Sequence, residues 1–311
     1  MAKDAQKPQN SATDNPTIVS LLREIHQSPE VRKPLLAELE KEFSGRCVLA
    51  FFTSFNQPVM IDDGDADIIE GVLQKSDLSK GLTVVINSPG GDGLAAERIV
   101  NVCRSYSKNN FEIVIPKMAK SAATMIAFGA QKIWMSETSE LGPIDPQVFR
   151  GRKGLVSAHS IVASYEELLI KAVKTKGNIE PYLQQLARYD ASDVKSLRAS
   201  QKLSESIAIT ALRTGMMKGK SELEIRRCIK SFIDPEVTSS HGRRIGTETA
   251  SKCGLQVGKI ELDTNLWKNL WELYVRTDYL VTAKCSKVAE TKDHSFHAPA
   301  VTGEESHDNE K

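Results

Sequence analysis

LTVVINSPGGDGLAAERIV (82–100) and FEIVIPKMAKSAATMIAFGA (111–130) decide how this chain folds. Each begins with a short, β-branched run that is apolar at nearly every position. Each then passes through a turn, glycine-rich in the first and serine-bearing in the second, into a helical pattern. Strands that are apolar throughout are strands buried on both faces. The pattern extends outward in both directions. CVLAFF (47–52) is followed by the helical DADIIEGVLQKS (65–76), and KIWMS (132–136) supplies a further strand. Alternating β and α units imply an α/β fold with a mostly parallel sheet and right-handed crossovers.

The 311 residues set the scale: at about 150 residues per domain, they suit one large α/β domain with a helical addition, or two domains. Apolar residues are 40% and charged residues 26%, the balance of a globular chain. Lys plus Arg is 41 against 40 Asp plus Glu, which argues against nucleic acid or an anionic membrane as the main partner. The five cysteines are widely spaced and form no CxxC pair, so no zinc ribbon, iron–sulfur site or disulfide framework is expected. The polar start MAKDAQKPQNSATDNP is not a signal peptide, and no apolar run reaches the roughly 18 residues of a membrane span. A soluble, cytoplasmic protein with reduced thiols is the expectation.

Five segments follow. Residues 1–16 read as disordered. Residues 17–44 hold two amphipathic helical patterns, IVSLLREIH and KPLLAELEKEF. Residues 45–157 form the α/β core. Residues 158–286 form a helical region with Asp190–Ser192 and Lys220–Ser221 supplying caps, a late core element at 247–262, and a terminal helix bearing Trp267, Leu270, Trp271 and Tyr274. That stripe marks core or a subunit interface. Residues 287–311 read as a solvated, disordered tail, and its His294, His297 and His307 as solvated rather than metal-binding.

Several motifs compete for a function. Gly91-x-Gly93-x-x-Ala96 fits the dinucleotide fingerprint in letters, with Glu112 at the right interval. The acid should lie at the carboxyl end of the second strand, but Glu112 begins its strand, so the nucleotide reading fails. Gly215–Ser221 resembles a phosphate loop but has one residue too few and follows a helix. Asp62–Asp67 lacks the spacing of a calcium loop and reads as an acidic helix start. Asn87–Gly93 is sharper: adjacent glycines after a buried strand let a backbone or substrate come close. Lys120-Ser121-Ala122-Ala123-Thr124 lies one strand further on. Ser121 suits an N-cap. It also suits a nucleophile, because the Ala122 N–H and the Gly90–Gly91 loop stand where an oxyanion needs donors.

INSPGG, a strand, the KSAAT helix start, then GA and SELGPIDPQ together resemble the Clp-protease and crotonase superfamily. The nearest branch is the serine dehydrogenase proteinase family, related to signal peptide peptidase A. The resemblance covers about 47–150 and returns at Thr249–Leu255, where Thr249 replaces the family's Glu. It implies a Clp/crotonase-like core of repeated β-α units with an added helical region. It also implies a serine peptidase acting on a protein or peptide through an acyl-enzyme on Ser121, with no metal or organic cofactor. By ungapped matching, the Clp catalytic His falls at Asp145 and the catalytic Asp falls within a residue of His241. The two polar members are thus interchanged, with His241 as base and Asp145 orienting it. Gly91 and Ala122 supply the oxyanion hole.

Signal peptide peptidase relatives use a Lys base, and Lys171, Lys174 and Lys176 lie at that interval, on a charged helix. The other histidine of the central region, His159, opens a helix. Two alternatives of other classes stand beside the peptidase: a crotonase-like acyl-CoA enzyme, and a catalytically inactive scaffold of the same fold. The resemblance further implies a homo-oligomer, trimer-based or larger. The aromatic area of the terminal helix and the N-terminal amphipathic helices point the same way.

Overall fold

The computed structural model describes residues 28–151, 154–234 and 243–301. The described residues begin with helix α1 (Pro29–Glu42) and strand β1 (Cys47–Thr53). Three units follow: α2 (Asp63–Leu73) with β2 (Leu82–Asn87), α3 (Gly93–Tyr106) with β3 (Phe111–Ile115), and β4 (Met118–Ala119), α4 (Ala122–Phe128) and β5 (Ile133–Met135). Short strands β6 (Glu140–Leu141), β7 (Gln147–Phe149) and β8 (Leu155–Ser157) lead into helices α5 (Ala158–Lys174), α6 (Glu180–Leu186), α7 (Ala191–Thr214) and α8 (Glu222–Ile233). The chain ends with α9 (Thr247–Lys252), β9 (Val257–Lys259), α10 (Asn265–Ala283), β10 (Cys285–Glu290) and β11 (Ser295–Pro299).

Seven strands make the main sheet in the order β11-β10-β1-β2-β3-β5-β9. The run from β1 to β9 is parallel, and β10 and β11 add an antiparallel edge. Every residue of β1 and β2 is buried, which is why both read as runs that are apolar at nearly every position. Alternation then sorts side chains to the two faces. Leu49, Phe51, Val84, Ile86, Ile113 and Ile115 pack against α2, α3 and α4, with α7 and α8 behind them. Val48, Ala50, Phe52, Val85 and Val114 pack against α1 and α10. Asp62 and Ser221 close capping boxes on α2 and α8, and Asp190 caps α7, so the acidic start and the false phosphate loop are both helix starts.

Two expectations are corrected. Of the tail expected over 287–311, residues 287–290 and 295–299 are instead sheet, and those from 302 on lie outside the described residues: β10 pairs with β1, Ala50 opposite Glu290 and Thr53 opposite Lys287, and β11 pairs with β10. Its charges are neutralised within the fold. Glu290 takes Arg32 at 2.7 Å, both side chains fully buried, and Lys287 bridges Asp62 at 2.6 Å and Asp65 at 2.8 Å. His297 lies 3.4 Å from Glu290, and His294 contacts the Lys75 carbonyl at 3.2 Å. The aromatic stripe of α10 is not surplus surface either. Trp267, Leu270 and Tyr274 are buried against this chain's own sheet and α1, with Trp271 stacked on Trp267 and Tyr274 close to Phe52. IVSLLREIH and His307 lie outside the described residues.

Candidate functional site

Both turns singled out in the sequence meet at the carboxyl ends of β2 and β3. Ser88 N–H donates to the Met118 carbonyl at 3.1 Å and Lys120 N–H to the Ser88 carbonyl at 3.0 Å, tying the two loops together. Gly90 has φ +104°, and a Cβ there would lie 2.6 Å from both the Ser121 Cβ and the Lys120 carbonyl oxygen. Gly91 is pressed against Ile61, whose N–H donates to Gly90 O at 2.8 Å and whose carbonyl accepts from Asp92 N–H at 2.9 Å. The glycines are thus needed for close approach on both sides.

Ser121 has φ +49° and ψ −119°, a region a side chain occupies at a cost of about 1–3 kcal/mol. The strain is held from both sides by the Lys120 bond to Ser88 and by Met125 N–H donating to Ser121 O at 3.1 Å. Ser121 precedes α4, yet its hydroxyl caps no helix amide. The N-cap reading therefore does not account for this serine. Among the described residues, the N–H groups of Gly91 and Ala122 donate no backbone hydrogen bond.

A cavity of about 280 Å³ opens beside Ser121. Gly91, Gly93 and Leu94 form one wall, Met125 and Ser121 the floor, and Ile144, Pro146 and Gln147 a second wall. The third wall is α7, through Ser200, Leu203, Ser204 and Ile207. Leu94 and Leu203 stay about half exposed there, at 53% and 46%. The sequence reading gave α7 no role. The signal for it was the 200, 203, 204, 207 spacing, which is one helix face.

Asp145 is buried, between Ile144 and Pro146 of the cavity wall. Its loop is fastened to the serine turn by Thr124, whose hydroxyl lies 2.8 Å from Ala119 O and 3.0 Å from Gly142 O, and to α7 by Ser204 donating to Ile144 O at 2.6 Å. His241 lies outside the described residues. The described stretches on either side of it bind the Asp145 loop. Ile144 N–H donates to Phe232 O at 2.8 Å, and Ile245 and Leu141 exchange two backbone bonds at 3.0 and 2.9 Å. His159 follows Ala158, whose N–H donates to Pro146 O at 2.8 Å. Lys171 pairs with Glu167 at 2.6 Å on the exposed face of α5, and that partner raises its pKa, the wrong direction for a neutral base. Lys174 and Lys176 are exposed. Glu112 accepts from the Trp134 indole at 2.7 Å, a structural role for the residue that the dinucleotide pattern would have used.

The chain's residues 52–195 match the family of ClpP-like SDH-type serine proteinases. This stretch resembles that family. It contains both glycines, Ser121, Asp145 and the start of α7, on a ClpP-like α/β fold. That family is one of serine proteinases. Two uncharacterized proteins of Methanocaldococcus jannaschii are similar. One is 33% identical over 103 residues, 33% of this chain and 34% of its own length. The other is 28% identical over 133 residues, 39% of this chain and 44% of its own. The matches thus span less than half of either relative. A solved 1510-N membrane-bound stomatin-specific protease aligns at 16% identity with a TM-score of 0.37, covering 69% of this chain and 80% of that one. Among the described residues no helix is long and apolar enough to cross a membrane.

Proposed function

We propose that this chain hydrolyses peptide bonds of a protein or peptide through an acyl-enzyme on Ser121. One observation carries the reading: Ser121 is held in a strained conformation in the lining of a cavity, with its hydroxyl not used as a cap. In the proposed reaction its Oγ attacks the carbonyl carbon while His241 takes the proton, and Asp145 orients His241. The N–H groups of Gly91 and Ala122 hold the oxyanion. The tetrahedral intermediate collapses to the ester as the amine leaves with the proton from His241. Water, deprotonated by the same histidine, then hydrolyses the ester. No metal or organic cofactor enters this scheme.

The Asp145 loop supports the pairing with His241, because it binds the described residues on both sides of that histidine. The apolar walls of Leu94, Met125, Ile144, Leu203 and Ile207 suit an apolar substrate side chain. A homo-oligomer, trimer-based or larger, is part of the proposal, but its apolar surface lies away from α10. Phe149 and Leu155, paired across β7 and β8, are 74% and 63% exposed, and Ile170 and Val173 of α5 are exposed too. A cytoplasmic setting accords with five unpaired cysteines.

The test is labelling of the full chain by a fluorophosphonate probe. We expect labelling of the wild type and none of Ser121→Ala or His241→Ala. Undiminished labelling of Ser121→Ala refutes the nucleophile. Undiminished labelling of His241→Ala refutes the base.

A further inference from the structure

Gly91 can serve Ser121 only if its N–H is aimed, and the aim traces back to a lysine on β10. The Gly90 carbonyl and the Gly91 N–H belong to one trans peptide unit and so point in opposite directions. Ile61 N–H donates to that carbonyl at 2.8 Å, which turns the Gly91 N–H away from Ile61. Gly91 itself lines the cavity beside Ser121. Ile61 is held in turn through the peptide it shares with Asp62. Its carbonyl accepts from Asp92 N–H at 2.9 Å, and the Asp62 N–H donates to Asp65 Oδ2 at 2.9 Å. Lys287 Nζ donates to that same Oδ2 at 2.8 Å and to Asp62 Oδ2 at 2.6 Å. The Lys287 and Asp65 side chains are only 9% and 1% exposed, so their attraction is little screened. Lys287 is itself fixed in the sheet, opposite Thr53 of β1. Helix capping does not explain the lysine. Asp62 and Asp65 close the capping box of α2 with side chain and backbone, which needs no cation. What Lys287 adds is a tether from that box to the sheet.

We infer that Lys287 is a positioning residue, which through Asp65 and Asp62 fixes Ile61 and so the direction of the Gly91 N–H. This rests on the reading of Ser121 as nucleophile and of Gly91 as oxyanion donor. A backbone amide stabilises an oxyanion only when it is already aimed at the place where charge develops. Without the lysine, α2 keeps its cap, but its first turn is free to shift from β10, and Ile61 then tilts the Gly90–Gly91 peptide with it. The loss falls on the rate of attack at the bound group, while the apolar walls that hold that group are untouched.

The experiment is fluorophosphonate labelling of the full chain, followed over time at several probe concentrations. It reads the limiting rate, the half-saturating concentration and the labelled fraction at completion. Lys287→Met should lower the limiting rate on the order of tenfold, less than the roughly 100-fold or more that follows outright loss of an oxyanion donor, with the other two quantities unchanged. Lys287→Arg, which keeps a cation, should recover part of the rate. A role in folding alone would lower the labelled fraction and leave the rate of the folded molecules as it was. Removing one member of a buried ion pair can unfold a chain, so Asp62→Asn is the second variant. That side chain is 63% exposed, and its amide oxygen can still cap α2. It should give a smaller loss of rate with full labelling. The inference is overturned by a wild-type limiting rate in folded Lys287→Met, by the same result in Asp62→Asn where Lys287→Met does not fold, or by a loss confined to the labelled fraction. If Gly90→Ala is slowed while folded Lys287→Met is not, the site reading stands and this inference falls. Labelling that survives in Ser121→Ala is a different failure: it removes the site reading, and this inference with it.

Discussion

Gly90→Ala tests whether the glycine turn and Ser121 are one machine. The added methyl would sit 2.6 Å from the Ser121 Cβ and 2.6 Å from the Lys120 carbonyl, where an ordinary contact begins near 3.4 Å. Relief requires a movement of about 0.8 Å between the two loops. Neither obstacle is a flexible chain end: one is backbone and the other is the Ser121 Cβ. Alanine at φ +104° adds about 1–3 kcal/mol of conformational strain, and the overlap another 1–3 kcal/mol. The loops must separate, and the separation carries Ser121 and Ala122 together away from the Gly91 amide. A misplacement approaching 1 Å costs on the order of 100-fold in rate. The fluorophosphonate rate should fall by that order, while the thermal midpoint drops only as far as the strain that remains. Gly71→Ala is the matched control. It lies within α2 with nothing near its added Cβ, so it should stabilise the fold by about 0.5–1 kcal/mol and leave labelling intact. Wild-type labelling in Gly90→Ala would refute the argument that this glycine is required by the serine.

Burial acts to raise the Glu290 carboxyl, but hydrogen bonds involving His297, Arg32 and Ser295 outweigh it and hold the pKa below the ordinary 4.5. Its stabilisation is therefore present above pH 4.5 and lost as pH falls through that value toward the lower folded pKa. Arg32→Met should cost about 3–5 kcal/mol near neutrality by leaving a buried carboxylate without its main cation. The gap to wild type should narrow in acid, and urea unfolding at a series of pH values would expose a gap that does not. Phe149→Ser with Leu155→Ser should abolish self-association and leave each chain folded. Light scattering then gives a mass near 34.3 kDa for the variant and a multiple of it for the wild type; a wild type already at that mass on dilution removes the oligomer.

The parts of the molecule that could be read in the sequence are those fixed by local chemistry. β1 was expected over 47–52 and runs Cys47–Thr53, because a strand buried on both faces has no polar register to blur its ends. The Gly90–Gly91 turn and Ser121 stood out because sharp backbone geometry demands special residues. The wall formed by α7 was not legible. Its helical period could be read, but which end of the sheet it covers depends on packing with α4, far away along the chain. The C-terminal strands failed for a related reason. Lys287 and Glu290 look like residues of a solvated tail, since burying a charge is costly unless it is paired. Their partners are 222 and 258 residues away, at Asp65 and Arg32, and no window along the chain contains both members.

The strand pattern did contain the correction to the terminal helix. A sheet apolar on both faces needs two layers of cover. The crossover helices α2, α3 and α4 all pack on one face, through Ile69, Ile99 and Ile126. The second face, with Val48, Phe52 and Val85, then has only helices from outside the β-α series to cover it. α1 brings Leu36 and Leu39, and α10 brings Leu270, Leu273 and Tyr274. Fully burying one such side chain is worth about 1.5–3 kcal/mol, so the aromatic stripe contributes more to this fold than it would as free surface awaiting a partner. The same accounting places the real surplus elsewhere. Among the described residues β7 and β8 form a two-stranded sheet joined to no third strand, and that sheet exposes Phe149 and Leu155 on one face. An isolated hairpin is marginal by itself. It is held here by Val148 against Ala158, Val162 and Leu197 on its other face, the face turned toward α5 and α7. Apolar area remains where the helical region begins, next to Gln147 of the cavity wall, so any assembly formed there would border the Ser121 site.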